Sequence, residues 1–267
     1  MRKKYKLTLE TKTCGGHTLY QIQALKTFET PIRTIHAGDY GGWVESEKNL
    51  SQTGVCWIFD DALVMGNARI YGSAQVYGNA QVYGNAQVYG NARICGDAQV
   101  CGNARIYSYA FVGDGAFIAD NAQVCGAAQV YDNARVCGNA RVYGSAQVCG
   151  RAFVYGNTFV GDGAQVYGNA QISGRAHVHG YANIAQNGDI GCSTDYLVIG
   201  PIGSRNGDTT FYRTANNSIQ VSCGCFTGSI DEFLAAAKKK HGDNHHGKMY
   251  KMAAELARVQ ILEGNKE

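Results

Sequence analysis

Val76-Tyr77-Gly78-Asn79-Ala80-Gln81 is followed at once by Val82-Tyr83-Gly84-Asn85-Ala86-Gln87, and this doubling decides the fold. From Ala62, every sixth residue through Ala182 is Ala, with Thr158 the single departure. Two places after each stands Val or Ile, from Val64 to Ile184. The run amounts to 21 hexads without insertion or deletion. Period six combines a two-residue bend with a short extended run, so Val and Ala face one side and their neighbours the other. Gly66, Gly72 and Gly78, followed by residues such as Asn67 and Asn79, suit the corner, because both types tolerate the backbone of a tight bend. A helix would need apolar spacings of three and four, and a Gly in every hexad would penalise it heavily. The pattern predicts a mainly β chain wound as a β-solenoid. In that register the aliphatic and Ala sites form the interior, and the Thr158 hydroxyl among them is expected to bond a backbone carbonyl.

Outside the repeat the composition sets limits. The chain has 267 residues, 45% of them hydrophobic and only 17% charged, with 35 Gly and 2 Pro. Such a chain is neither collagen-like nor Pro-rich and disordered. A net charge of +3 is too small for a dedicated nucleic-acid binder. No stretch approaches the roughly 18 apolar residues of a membrane helix. Residues Met1 to Glu10 are basic in front without an apolar run behind, which reads as no secretory signal. Ten Cys then imply reduced thiols and a cytoplasmic location.

The pairs Val76 with Ala80 and Val112 with Ala116 place a small residue four positions after an aliphatic one. In this the chain resembles the hexapeptide-repeat proteins. The resemblance implies a left-handed parallel β-helix with triangular 18-residue coils, about seven for this run, and the handedness is implied by it alone. Gly41-Gly42-Trp43-Val44, Leu50-Ser51-Gln52 and Cys56-Trp57-Ile58 resemble the entry segment of the YdcK-like bacterial β-solenoid family. That likeness covers roughly residues 38 to 184 and implies no established activity. The chain also resembles proteins common in bacteriophage and prophage genomes, which implies that it could be phage-encoded.

Between Lys48 and Asp231 there is neither Lys nor Glu, and this shift in composition divides the chain. Residues 1–55 read as an N-terminal cap, with an early strand at Tyr5 to Leu9. Residues 56–190 form the solenoid, and 191–267 a small α+β module that could cap it or act alone. In that module Tyr196 to Ile202 and Thr210 to Cys225 read as short strands. Ser229-Ile230-Asp231-Glu232 is a capping-box pattern opening a helix through about Lys240. A second helix is expected from near His246 to Leu262, with Met249, Met252, Ala253, Leu256 and Val259 at helical spacing.

Hexapeptide acyltransferases use a His base and often a loop projecting from the prism. Here the solenoid His are His177 and His179, and no loop interrupts the hexads. Acyl transfer is the main enzymatic alternative to a non-catalytic reading, and no cofactor is expected. Cys223, Cys225, His241 and His245 offer thiolate and imidazole ligands for zinc, but their spacing matches no common finger, so no metal is the preferred expectation. The repeat cysteines Cys95, Cys101, Cys125, Cys137 and Cys149 never differ by 18, which excludes directly stacked disulfides. Gly113-Asp114-Gly115 and Gly161-Asp162-Gly163 read as corner turns.

Coils of 18 align Arg69, Gln87, Arg105, Gln123, Arg141, Phe159 and His177 in one outward column. Two residues along, Tyr71, Tyr89, Tyr107, Cys125, Tyr143, Gly161 and His179 form the next. Arg beside Tyr suits bidentate anion recognition with stacking. The other two faces hold one Arg each in the equivalent columns, Arg93 and Arg135. The alternative is that the Tyr ladders simply cover the sheet. The Phe residues Phe111, Phe117, Phe153 and Phe159 replace Gln or Arg at outward sites and form a candidate self-association or partner patch, leaving a homo-oligomer open. The expected function is a non-catalytic binding protein whose Arg/Tyr face meets a small anionic molecule or a host protein, with a purely architectural spacer as the other non-enzymatic reading. Neither membrane nor nucleic-acid binding is expected.

Overall fold

A hexad can bury its Val and Ala only if a neighbouring hexad covers them, and the winding of the chain provides that cover. The computed structural model describes residues 3–264. In it each hexad contributes a two-residue strand, such as Gln81–Val82, and pairs in parallel with the strand 18 residues away, as Gln81 with Gln99 and Val82 with Val100. Three sheets result, of eleven, seven and eight strands, all parallel except where the antiparallel N-terminal hairpin joins the largest. Every aliphatic site from Val64 to Ile184 is at most 1% exposed, and Ala sites and Thr158 are fully buried with them. The six-residue register holds throughout.

The stack has about eight turns, one more than the hexads alone supply. Val44 pairs over Val64, Leu50 bridges to Ile70, and Ile58 pairs over Val76. These three residues form a complete first turn that the Ala/Val periodicity misses, because two of its links are longer than 18 residues. At the far end Ile190 covers Ile172 as one further rung. The solenoid thus begins inside the segment read as cap.

Corners use the left-handed conformation, with φ of 70° at Gly78 and Gly84. Five Asp also occupy it, and four of them accept a backbone hydrogen bond there. Asp60, Asp120, Asp132 and Asp162 accept the backbone N–H of Gly78, Gly138, Gly150 and Gly180, one turn on. Asp114, also left-handed at 51°, agrees with the reading of these Gly-Asp-Gly segments as turns. Thr158 corrects the sequence expectation: its Oγ1 is buried without a hydrogen-bond partner. The backbone carbonyls near it are engaged in the axial ladder, as Thr158 O accepts from Arg141 N at 2.9 Å.

The first turn is covered by the hairpin β1 (Tyr5–Cys14) and β2 (His17–Ala24), which joins the largest sheet through Tyr40–Val44. Tyr5 and Phe28 pack edge-on against the buried Trp57, at 6.3 and 5.4 Å between ring centroids. Glu45 accepts the Gly66 N–H and contacts His17 at 3.0 Å, and these bonds, led by that to His17, hold its carboxyl below the ordinary range.

After the last rung comes a four-stranded antiparallel sheet of Tyr196–Ile202, Gly207–Arg213, Ile219–Cys223 and Phe226–Ser229. Thr210 to Cys225, read as short strands, holds the end of one strand and the whole of the next, with a turn between. Tyr196 and Tyr212 belong to the solenoid core, so this sheet lids the stack. Arg213 pairs with the buried Asp195 at 2.8 Å and bonds the Ile261 carbonyl, tying lid to helix. Helix α1 (Ile230–His241) starts on the Ser229/Glu232 capping box, and α2 (His245–Arg258) continues as a π turn to Glu263. The stripe Met252, Leu256 and Val259 faces water, at 69%, 53% and 54% exposed. Ala253 of the expected stripe is buried, with Tyr250, Ala254, Ala257 and Ile261, and Met249 packs partly against them, because small Ala residues let the helix approach its sheet closely. Among the described residues no helix is long and apolar enough to cross a membrane.

Candidate functional site

The Arg/Tyr face is built by register alone. Arg69, Gln87, Arg105, Gln123, Arg141, Phe159 and His177 pair successively down one sheet. Strand alternation turns their side chains outward while Ile70, Val88 and Ile106 point in. Arg69, Arg105 and Arg141 are exposed. Beside them Tyr71, Tyr89 and Tyr107 stack with centroids 4.8 and 5.1 Å apart and rings within 4° of parallel. The two columns are joined, since the Tyr71 hydroxyl donates to Gln87 Oε1 at 3.2 Å. Partial burial, with Tyr89 beside it, raises the Tyr71 pKa, and the nearby charges of Arg105 and Arg69 oppose the rise. Tyr107, hydrogen-bonded to Cys125 and partly desolvated, is pushed up to about 12. Both phenols are neutral near pH 7 and available as hydroxyl groups.

A third column on this face escaped sequence reading. Asn67, Asn85, Asn103, Asn121, Asn139 and Asn157 lie at one corner, each two residues before the Arg/Gln column. Each Nδ2 donates to the Oδ1 of the next, at 3.1, 3.0, 3.1, 3.1 and 2.9 Å. These residues read as turn formers, yet the 18-residue spacing that aligned the Arg also aligns them. Amide, guanidinium and phenol therefore run side by side along one face. Between Asn67 and Tyr143 these three columns contain no carboxylate.

The face has distinct ends. Near Arg69 and Tyr71 a concavity of about 560 Å³ opens against Lys48, Ser51 and Gln52. The Tyr stack breaks at Cys125, and the Tyr143 ring lies where any side chain at Gly161 would stand. The Arg141 guanidinium sits 5.5 Å from the Phe159 ring centroid, and His177 packs on the other side of that ring at 4.5 Å. The Tyr196 hydroxyl donates to the His177 carbonyl and accepts from the His179 N–H, so both His stand where the lid meets the face.

The four Phe do not form one patch. Phe111 lies on one face, Phe159 on the Arg/Tyr face, and Phe117 and Phe153 on the remaining face. All four are half-buried. Phe117 and Phe153 flank Arg135, whose guanidinium is 5.6 and 5.2 Å from their centroids. The physical reason is the 18-residue coil: 111 and 117, or 153 and 159, fall on adjacent faces.

Nor are Cys223, Cys225, His241 and His245 brought together as ligands. Cys223 accepts from the Thr209 hydroxyl at 3.2 Å, and His241 lies against His246 and Tyr250. Among the described residues no group of three or more His, Cys, Asp and Glu is arranged to hold a metal ion. Cys223, Cys225 and His241 line a cavity of about 140 Å³ with Arg205 and Lys240, and His245 stands outside it. The ten Cys form no disulfide with one another. Four of them, Cys95, Cys101, Cys125 and Cys149, are hydrogen-bonded to the Tyr one rung earlier.

This geometry defines a class, the parallel β-solenoid with a regular lateral face. A family model described as the YdcK β-solenoid repeat matches residues 74–90, 86–98, 98–114, 128–144, 134–150, 146–162 and 164–180. Over these residues the solenoid repeats are similar to the YdcK type. No curated protein matches it.

Proposed function

We propose that this protein is a non-catalytic binding module whose Arg/Tyr face takes an anionic ligand. The observation that carries this reading is the coincidence, on one face only, of three exposed Arg in a single column, an unbroken Asn ladder and a parallel Tyr stack, without a carboxylate in those columns. Arg offers a planar fork of donors to carboxylate or phosphate. The flanking Tyr and Asn are already held by their neighbours, so little side-chain entropy is lost when a ligand binds. Alternation of Arg with neutral Gln keeps like charges two rungs apart, which lets the column carry charge without destabilising the stack. A host protein with an acidic surface would be recognised by the same groups. The test replaces Arg69, Arg105 and Arg141 together by Gln, which already fills the same column at positions 87 and 123. Retained thermal stability with lost capture of anionic ligands supports the reading, whereas unchanged capture leaves the face a solvated wall.

A further inference from the structure

Resting on the reading of this face as an anion site, we infer that its ligand is an extended acidic polysaccharide carrying one carboxylate on every second sugar. The argument is one of spacing. Each rung advances about 4.8 Å, as the Tyr centroid steps of 4.8 and 5.1 Å record. Every rung repeats an Asn amide on the ladder and, over Tyr71, Tyr89 and Tyr107, a phenol. Arg alternates with Gln, so guanidinium positions recur about every 9.6 Å.

An extended chain of equatorially linked pyranose rings advances close to one rung per ring. Laid along the axis, it would meet amide groups at each sugar and a guanidinium at every second one. The supply of neutral groups fits hydroxyls: each ladder Asn spends one N–H and one oxygen lone pair on its neighbours and keeps one of each for a ligand. Other linear polyanions fit less well. An extended polypeptide advances roughly 3.3 Å per residue, so its same-face charges recur about every 6.6 Å and drift out of phase with the Arg. A stacked nucleic-acid strand carries a charge about every 3.4 Å, which sets two of every three phosphates over neutral Gln and Asn. The three Arg span four rung steps, from Arg69 to Arg141, roughly 19 Å. Three carboxylates on alternate sugars need five sugars, so among oligomers of two, four, six and eight sugars the hexasaccharide is the shortest able to place one on each Arg.

The experiment is calorimetric titration of the full chain with hyaluronan oligosaccharides of two, four, six and eight sugars, with polygalacturonate and an oligothymidylate as comparison polyanions. Affinity should climb from disaccharide to hexasaccharide and then level off. The Arg69→Gln, Arg105→Gln, Arg141→Gln variant, with an unchanged circular dichroism spectrum, should bind the hexasaccharide about tenfold more weakly or worse. Arg-dependent binding in which polygalacturonate or oligothymidylate equals or exceeds hyaluronan overturns the spacing inference and leaves the anion face standing. Hyaluronan binding that ignores the three substitutions, or shows no rise with length, also overturns it. Absence of Arg-dependent binding for all three polymers removes the anion face as well.

Discussion

The solenoid and the C-terminal module bury apolar side chains by opposite means. In the solenoid, each Val or Ile meets its equivalent 18 residues away, and the interior is a column of repeated contacts in which no single residue is a centre. In the module, four aromatic rings converge: Phe233 lies 5.7, 5.6 and 5.3 Å from Phe211, Phe226 and Tyr250. Stacked repeats make stability a sum over rungs and their interfaces, while a small aromatic cluster concentrates it in a few side chains. Position within a period therefore foretells burial in the solenoid and fails to do so in the module, where the helical stripe of Met252, Leu256 and Val259 faces water.

The largest effect expected is that of Val124→Asp. It places an unpaired carboxylate midway along the stack, at a cost of several kcal/mol, and should abolish soluble folded protein. A stable variant by circular dichroism would break the comparison at its root. Next comes Phe233→Ala, expected to cost about 3–5 kcal/mol and to open the module while solenoid amides stay protected in hydrogen exchange. Loss of protection in both regions at once would show that the two cores melt as one. Thr158→Ala should raise stability by roughly 1 kcal/mol, because it removes a buried hydroxyl that has no partner. A loss above about 2 kcal/mol would instead give the side chain a packing role that the rungs require. The smallest change is expected for Met252→Ser with Leu256→Ser, within about 0.5 kcal/mol by chemical denaturation, since both side chains are already exposed. A strong destabilisation there would mean that this face is packed after all.

Much of the candidate site was legible before the structure. The Arg69-to-His177 column and its Tyr neighbour follow from 18-residue coils, and the pairing register reproduces them residue by residue. The Asn ladder was equally present in that arithmetic, but Asn beside Gly signals a corner so strongly that its side-chain bonding went unread. The four Phe form no single patch, because 18-residue coils send residues six apart to adjacent faces.

The winding, the interior and the order of side chains along each face follow from the hexad pattern alone. A strict six-residue period allows one way to bury every Val and Ala, and one residue of slip would turn them all outward. The ends depend instead on long-range contacts that no period encodes. The first turn from Val44 to Ile58 is irregular in spacing and aperiodic in composition, so its membership rests on hydrogen bonds to a rung already formed. The lid depends on Tyr196, Tyr212 and the Asp195–Arg213 pair, contacts between segments that share no period. The direction faced by α2 was likewise settled by close packing of Ala253, Ala254 and Ala257 against the sheet, which outweighed the larger apolar side chains on its other side.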